Sequence, residues 1–408
     1  MSFPLVQLIA LLFSVATLSP QASDLADLER AVTARPSDVQ AQRRLAAAYE
    51  TAGRRLDAVT AWTRVTELAP QAPSGWYALG LAYSALSQEA IGSFEDRAEA
   101  AVWRLLLIAD GLLATGHLTD AFAIYRSVEP QLPSIVTIHD SIAEIYERSG
   151  QTAWAARERK QGVLPAGACA TRKALCEFRG GRYRSALDAA LAGTDDESRY
   201  WRARTARELA RATYAHLDTL ADSPERRASR ATIARAEDRH QDAVTELTAA
   251  LKLAPENPTL TFELATACYA ARNYERALAS VTPLLQARPD DPRFVKLAGY
   301  SLSQLRRLDE ALPLLERAAA IDPKDPGPQL ALGRVHVQRG DYAAAIKLLE
   351  PHLASDSDGS LHVQLARAYT GVGQREKAAA LLARSEELHR ASEERSALAA
   401  RRKIEPPR

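Results

Sequence analysis

The sequence predicts an all-α fold, an α-solenoid in which antiparallel helix-turn-helix pairs stack into a superhelix. Three observations carry this. Pro255, Pro289 and Pro323 close successive helical stretches in "LKLAPENP", "LQARPDDP" and "AAIDPKDP" at a spacing of 34 residues. Alanines keep the same frame at Ala243, Ala277, Ala311 and Ala345, each with a large apolar residue four places on at Leu247, Val281, Leu315 and Leu349. In the other half of the period a leucine, a small neighbour and a tyrosine recur, as in Leu45, Ala46, Tyr49, in Leu79, Gly80, Tyr83 and in Leu365, Ala366, Tyr369. Such offsets share one helical face, where the small residue admits a second helix at close range. A fixed period of this length is the signature of a stacked repeat array.

The segments follow in order. Residues 3–18, "FPLVQLIALLFSVATL", carry no charged side chain and run into the small, polar "SPQASD". That is the pattern of an export signal with its cleavage region. As a helix the run would cover about 24 Å, short of the roughly 30 Å bilayer core, so no stable membrane span is expected. Residues 1–22 are therefore read as a signal peptide cleaved on export to the periplasm or the extracellular space. Residues 23–165 form a first array, with periods starting near 39, 73, 102 and 136. The interval from 73 to 102 is short, which calls for longer helices or an irregular turn in "SALSQEAIGSFEDRAEAA". Between 166 and 223 the frame slips twice, and this stretch is predicted to be an irregular junction of two atypical helix pairs. A second array over 224–386 restores the frame, with periods starting near 224, 258, 292, 326 and 359. Residues 387–408 read as a charged helix and a short proline-containing tail.

These motifs resemble the tetratricopeptide repeat, a 34-residue pattern of Trp, Leu-Gly, Tyr, Gly, Ala, a large residue, Ala and Pro. "GWYALGLAY" supplies Trp76, Leu79, Gly80 and Tyr83, and "RVHVQRGDYAAAIKLL" supplies Gly340, Tyr342 and Ala345. The likeness extends from about residue 24 to 386. It implies a non-enzymatic scaffold or adaptor that binds a protein or peptide segment in its concave groove, which is lined by the first helix of each pair. An accessory subunit of an envelope assembly, secretion or glycan-synthesis complex is the alternative. One class of the family clamps carboxylate-ended tails with a Lys and two Asn. Lys296 matches one of those places, but Tyr300 stands where an Asn is expected, so that activity is not carried over.

Composition narrows the chemistry. With 52 Lys+Arg against 51 Asp+Glu the net charge is +1, so no global field draws the chain to nucleic acid. The catalytic motifs of metallopeptidases, serine hydrolases and phosphate-binding loops are absent from the sequence, and no catalytic residue, metal site or cofactor is assigned. Gly371 and Gly373 in "GVGQRE" read as small residues of an inter-helix turn, and "DSDGS" (356–360) as a turn with a helix cap. His336 is expected to pack between helices. Cys169 and Cys176 stand seven residues apart. On one continuous helix their Cα atoms would lie about 10.5 Å apart, too far for a bridge. A disulfide therefore requires "PAGAC" to be a loop that folds back; otherwise both are small hydrophobes on a packing face, the reading also given to Cys268.

The groove-lining places of the second array select Arg235, Phe262, Tyr269, Arg293, Lys296, Tyr300, Arg334 and Arg367 as candidates for partner binding. This basic and aromatic set suits an extended peptide or helix of acidic character, since guanidinium groups pair with carboxylates and rings add apolar contact. The first array offers Asp110, Asp140, Glu144 and Glu147 instead, with Arg43 as an exception. Arg204, Arg207 and Arg211 form a second basic stripe. Solvated charge on an idle face is the competing reading of both.

Overall fold

The computed structural model describes residues 22–94, 98–401 and 403–407, so the predicted signal peptide lies outside the described residues except for Ala22. All regular elements among the described residues are helices. The chain divides into two compact units, one holding residues up to Ser229 together with 401–407, the other Arg230–Ala400.

The N-terminal unit begins with α1 (Ala22–Ala34), α2 (Val39–Thr51), α3 (Arg55–Leu68) and α4 (Pro73–Gly92). It continues through α5 (Ala98–Ala114), α6 (Leu118–Val128), α7 (Thr137–Arg148), α8 (Thr152–Gln161), α9 (Ala168–Thr171), α10 (Lys173–Arg179), α11 (Tyr183–Leu191) and α12 (Asp196–Thr219). Helices α2 and α3, α5 and α6, α7 and α8, and α10 and α11 pair with their neighbours in sequence. Helix α4 does not. It is longer than a regular repeat helix, as the short interval after residue 73 suggested, and its principal partner is the remote α12. The fit is close: a Cβ on Gly80 would come within 2.3 Å of the Tyr214 ring, and the Ser87 hydroxyl donates to the Ala203 carbonyl at 2.8 Å. The stretch 166–223 is therefore not a separate junction. Its helices belong to the N-terminal unit, and α12 completes the pair that α4 opens.

The second unit holds most of α13 (Pro224–Ala236), then α14 (His240–Leu253), α15 (Pro258–Ala270), α16 (Tyr274–Ala287), α17 (Pro292–Gln304) and α18 (Leu308–Ile321). It ends with α19 (Pro326–Arg339), α20 (Tyr342–Leu349), α21 (Ser360–Gly371) and α22 (Arg375–Arg401). Its regularity comes from repeated local chemistry. Asn257, Asp291 and Asp325 cap α15, α17 and α19 by accepting backbone N–H groups of the first turn. Each is followed by a proline at the first helical position, where the missing N–H costs nothing. Between paired helices the chain turns through a left-handed residue at Asp238, Arg272, Arg306 and Gly340, one per period. The in-register alanines Ala243, Ala277, Ala311 and Ala345 are all 0% exposed. At Gly333 the approach is close, since a Cβ there would lie 2.3 Å from Leu349. Cys268 is buried with a free thiol, in keeping with a packing role, and burial raises its pKa.

Candidate partner-binding face

Helices α15, α17 and α19 are the first helices of three successive repeats, so equal places in the period stand side by side on them. Phe262 and Lys296 occupy one such place, Tyr300 and Arg334 another. The Phe262 and Phe294 rings lie 5.2 Å apart, and the Arg293 guanidinium carbon sits 5.4 Å from the Phe262 ring centroid. Farther along, Tyr269 and Tyr300 have centroids 6.4 Å apart. Tyr300 is held close to the start of α19, where a Cβ on Gly327 would meet its hydroxyl at 2.6 Å. Burial pushes the Tyr300 and Tyr269 hydroxyls above their usual pKa, Asp325 adding to the first effect and Tyr274 to the second, while the positive charge of Arg334 opposes both. The structure thus brings Phe262, Tyr269, Arg293, Lys296, Tyr300 and Arg334 together in one strip.

The charge of that strip differs from the expectation. Lys296 Nζ pairs with Asp325 Oδ2 at 2.7 Å, and Arg293 grips Asp291 through two hydrogen bonds of 3.0 and 2.8 Å. Burial by itself would raise the Asp291 pKa, yet the Arg293 contacts hold it below the usual carboxylate value. Two of the five candidate cations, Arg293 and Lys296, are therefore neutralised by the carboxylates that cap α17 and α19. Arg334 and Arg367 are exposed, and no ion pair among the described residues engages either. Arg235 on α13 and Arg367 on α21 have no ring contact or ion pair with the strip among the described residues.

The first array's acidic set is taken up by local partners, Asp110 inside the fold and the others at the surface. Asp110 is buried, accepting the hydroxyls of Tyr125 at 2.7 Å and Tyr200 at 3.0 Å, with Arg204 3.5 Å away. Asp140 pairs with Arg179 at 2.8 Å, Glu147 with Arg159 at 2.7 Å and Glu144 with Arg148 at 3.5 Å. Arg43 donates to Ser74. Arg204 likewise is no surface cation: its guanidinium carbon sits 4.7 Å from the Phe178 ring centroid and it donates to Ser141 at 3.2 Å. The predicted basic stripe is reduced to Arg207 and Arg211, the latter bound to Glu208 at 2.8 Å.

Two local readings were resolved by backbone geometry. Cys169 and Cys176 are joined as a disulfide with their Cα atoms 5.6 Å apart. The continuous helix that would have kept them apart is broken at Arg172, which ends α9 and precedes α10. In "DSDGS", Asp356 accepts the Gly359 N–H and Asp358 the Ser360 N–H, giving the turn and cap at the start of α21. His336 is mostly buried, 3.3 Å from Asp341, and Gly371 ends α21 against the Tyr342 ring rather than lying in the turn, where Gly373 stands with positive φ.

One cluster had no signal in the sequence. Glu158 on α8 is 0% exposed, and its carboxylate takes two hydrogen bonds from Arg126 at 2.8 and 3.1 Å and one contact from His139 Nδ1 at 2.8 Å. Arg126 also reaches Glu129 at 2.9 Å and the Tyr146 hydroxyl at 3.0 Å. Glu129, His139 and Glu158 each offer one donor atom within 4.8 Å of the others. The Arg126 guanidinium already supplies the positive charge that these carboxylates demand, so the cluster is an ion-pair network rather than a cation site. Its members lie on three helices without a common period, which hides it from pattern reading.

Residues 234–299 and 302–362 match the tetratricopeptide repeat family model. A curated relative, the cell division cycle protein 27 homolog A of Arabidopsis thaliana, is 33% identical over 81 residues, which is 20% of this chain and 11% of that protein. The chain thus aligns with about a tenth of that relative's length. Among solved structures, a MamA fragment from Desulfovibrio magneticus is 19% identical, covering 42% of this chain and 97% of that one at a TM-score of 0.38. A thermophilic TPR protein of Thermus thermophilus is 21% identical, covering 44% and 97% at a TM-score of 0.34. These scores are low, and the repeat assignment rests on the family match and the helix register.

Proposed function

We propose that this tetratricopeptide-repeat protein is a non-enzymatic adaptor, exported from the cytoplasm, that binds a protein segment along α15, α17 and α19. The observation that carries the reading is the strip of Phe262, Tyr269, Tyr300 and Arg334, in which rings and one unpaired guanidinium share a face. Rigid aromatic surface next to an exposed Arg suits an extended or helical partner segment with an acidic residue, because the rings lose little entropy and the guanidinium can bind a carboxylate bidentately. Lys296 and Arg293 have a supporting role, holding Asp325 and Asp291 and hence the helix starts. Export is supported by the uncharged run 3–18 and by the Cys169–Cys176 disulfide, a bond that persists in oxidising compartments.

The test is photo-crosslinking from positions 300 and 334 in cells, with mass spectrometry of the products. A recurrent partner crosslinked from both, and weakened about tenfold by Arg334→Glu as expected for loss of a charge-assisted contact, supports the adaptor. Crosslinks confined to control positions on α16 and α18, or binding indifferent to Arg334→Glu, would remove this face from consideration.

A further inference from the structure

The C-terminal residues pack on the N-terminal unit. Residues 403–407, Lys-Ile-Glu-Pro-Pro, have no regular hydrogen-bonded structure and group with this unit. The Tyr146 hydroxyl donates to the Glu405 carbonyl at 2.7 Å across 259 residues of sequence. Ile404 packs against the apolar cluster that contains Tyr146 and Phe122, and Pro407 is buried, while the side chains of Lys403, Glu405 and Pro406 are exposed. Two consecutive prolines fix their own φ and push the residues before them to extended geometry. The result favours a left-handed polyproline II helix, three residues per turn, whose carbonyls have no internal partner. Ile404 and Pro407 are three apart and so fall on one face of such a helix, and the free Glu405 carbonyl is the group that Tyr146 takes.

The receiving side is prepared. Tyr146 is 0% exposed, wedged between Phe122 at 5.7 Å and Trp154 at 5.6 Å, the latter edge to face. Arg126 donates to its oxygen at 3.0 Å, which orients the hydroxyl proton outward toward the carbonyl. Arg126 is itself fixed by Glu158 and Glu129. An aromatic site with one oriented donor is how extended proline-rich segments are generally read: the preformed ligand loses little entropy, and a single hydrogen bond sets its register.

We propose that the face formed by α6, α7 and α8 is a binding site for an extended Ile-x-Pro-Pro segment of a protein partner, and that residues 403–407 fill it in the unliganded chain as a resident competitor. This reading is independent of the strip on α15, α17 and α19. A bound partner segment places its isoleucine and second proline where Ile404 and Pro407 sit and gives its intervening carbonyl to Tyr146. Specificity arises because a segment without the isoleucine leaves the apolar seat empty, and one without the prolines must first order its backbone.

The test uses the full chain and a fluorescent peptide of sequence RKIEPPR, read by anisotropy. Ile404→Asp unseats the resident segment without touching α6, α7 or α8, and circular dichroism checks that helicity is retained. The Ile404→Asp chain is expected to bind the peptide at least about tenfold more tightly than the unmodified chain, because the competitor tethered at high effective concentration is gone. Adding Tyr146→Phe, which keeps the ring but removes the donor, should weaken that binding about fivefold, the usual worth of one hydrogen bond. A peptide with Asp in place of its isoleucine should not bind. Failure of the Ile404→Asp chain to bind RKIEPPR overturns the proposal by showing that 403–407 is held only by its tether. Equal binding of the Asp-containing peptide, or no effect of Tyr146→Phe, overturns it by showing that the contact is unspecific.

Discussion

At the scale of single residues the second unit's repeats share one backbone solution but not one amino acid. The turn between paired helices needs a left-handed residue, and the chain supplies Gly340 in one period but Asp238, Arg272 and Arg306 in the three before it. A side chain in that conformation brings Cβ against its own following carbonyl, a strain of about 1 kcal/mol or more that glycine avoids. Arg306 is exposed and its neighbour Arg307, not Arg306, makes the local ion pair with Glu310. Arg306→Gly should therefore stabilise the protein by about 0.5–1 kcal/mol, the relief of strain exceeding the added backbone entropy of the unfolded chain. Thermal melts of Arg306→Gly and of an Arg306→Ala control would check this; a glycine variant no more stable than the alanine one contradicts it. The sequence could show that position 306 takes the glycine place of the repeat, because "LRR" aligns with "RGD" in the 34-residue frame. It could not show that the backbone stays left-handed when the glycine is missing, since that is imposed by the packing of α17 against α18.

At the scale of elements, what could be read from the sequence depended on whether a helix finds its partner within one period. Helices α15 to α20 do, so their caps, alanines and glycines fell into a visible frame. Helix α4 packs on α3 but makes its largest interface with α12: the Ser87 and Ala203 that bond across it are 116 residues apart, and no local spacing reports such a pairing. The slips between 166 and 223 were legible as slips. Their cause was not, because α12 must align with the remote α4 as well as with its sequence neighbour α11. The same limit governs the candidate sites. Periodicity placed Phe262, Tyr269, Tyr300 and Arg334 on one strip, yet gave no sign that Asp325, the cap of the next repeat, would take up Lys296, or that the cap Asp291 would turn Arg293 two residues on back to itself. For α4 the decisive test is Gly80→Ala. Its new methyl would overlap the Tyr214 ring, and overpacking of this kind costs about 1–3 kcal/mol. Combining it with Tyr214→Leu, which withdraws the ring, should return part of that loss, with a coupling of at least about 0.5 kcal/mol in a double-mutant cycle by denaturant unfolding. Strictly additive losses would mean that α12 does not pack against α4 as described.

For the molecule as a whole, 52 cations and 51 anions nearly cancel, and many described pairs are exposed contacts between close neighbours in sequence. Such pairs are worth little to stability and are screened by salt. The dependence of stability on pH must then come from the few carboxylates held inside the fold, of which Glu158 is the most enclosed. Burial alone would raise its pKa, but the hydrogen bonds from His139 and Arg126 lower it below the usual 4.5. A carboxylate depressed in the folded state contributes stability that is complete above its unfolded pKa, here near 4.5, and is lost as pH falls through the folded value. Acid should thus loosen α6, α7 and α8 only below about pH 4.5, and leave them indifferent to pH between 5 and 7 as far as Glu158 is concerned. Glu158→Gln leaves Arg126 buried against a neutral amide, which should cost about 3 kcal/mol at pH 7, the typical loss when one partner of a buried pair is removed. Because the variant has nothing left to protonate at that site, its disadvantage relative to the unmodified protein should shrink as pH drops from 5 to 3. Urea unfolding at a series of pH values, followed by the fluorescence of the tryptophans including Trp154, would show converging stabilities. Parallel curves would assign the acid sensitivity to other carboxylates.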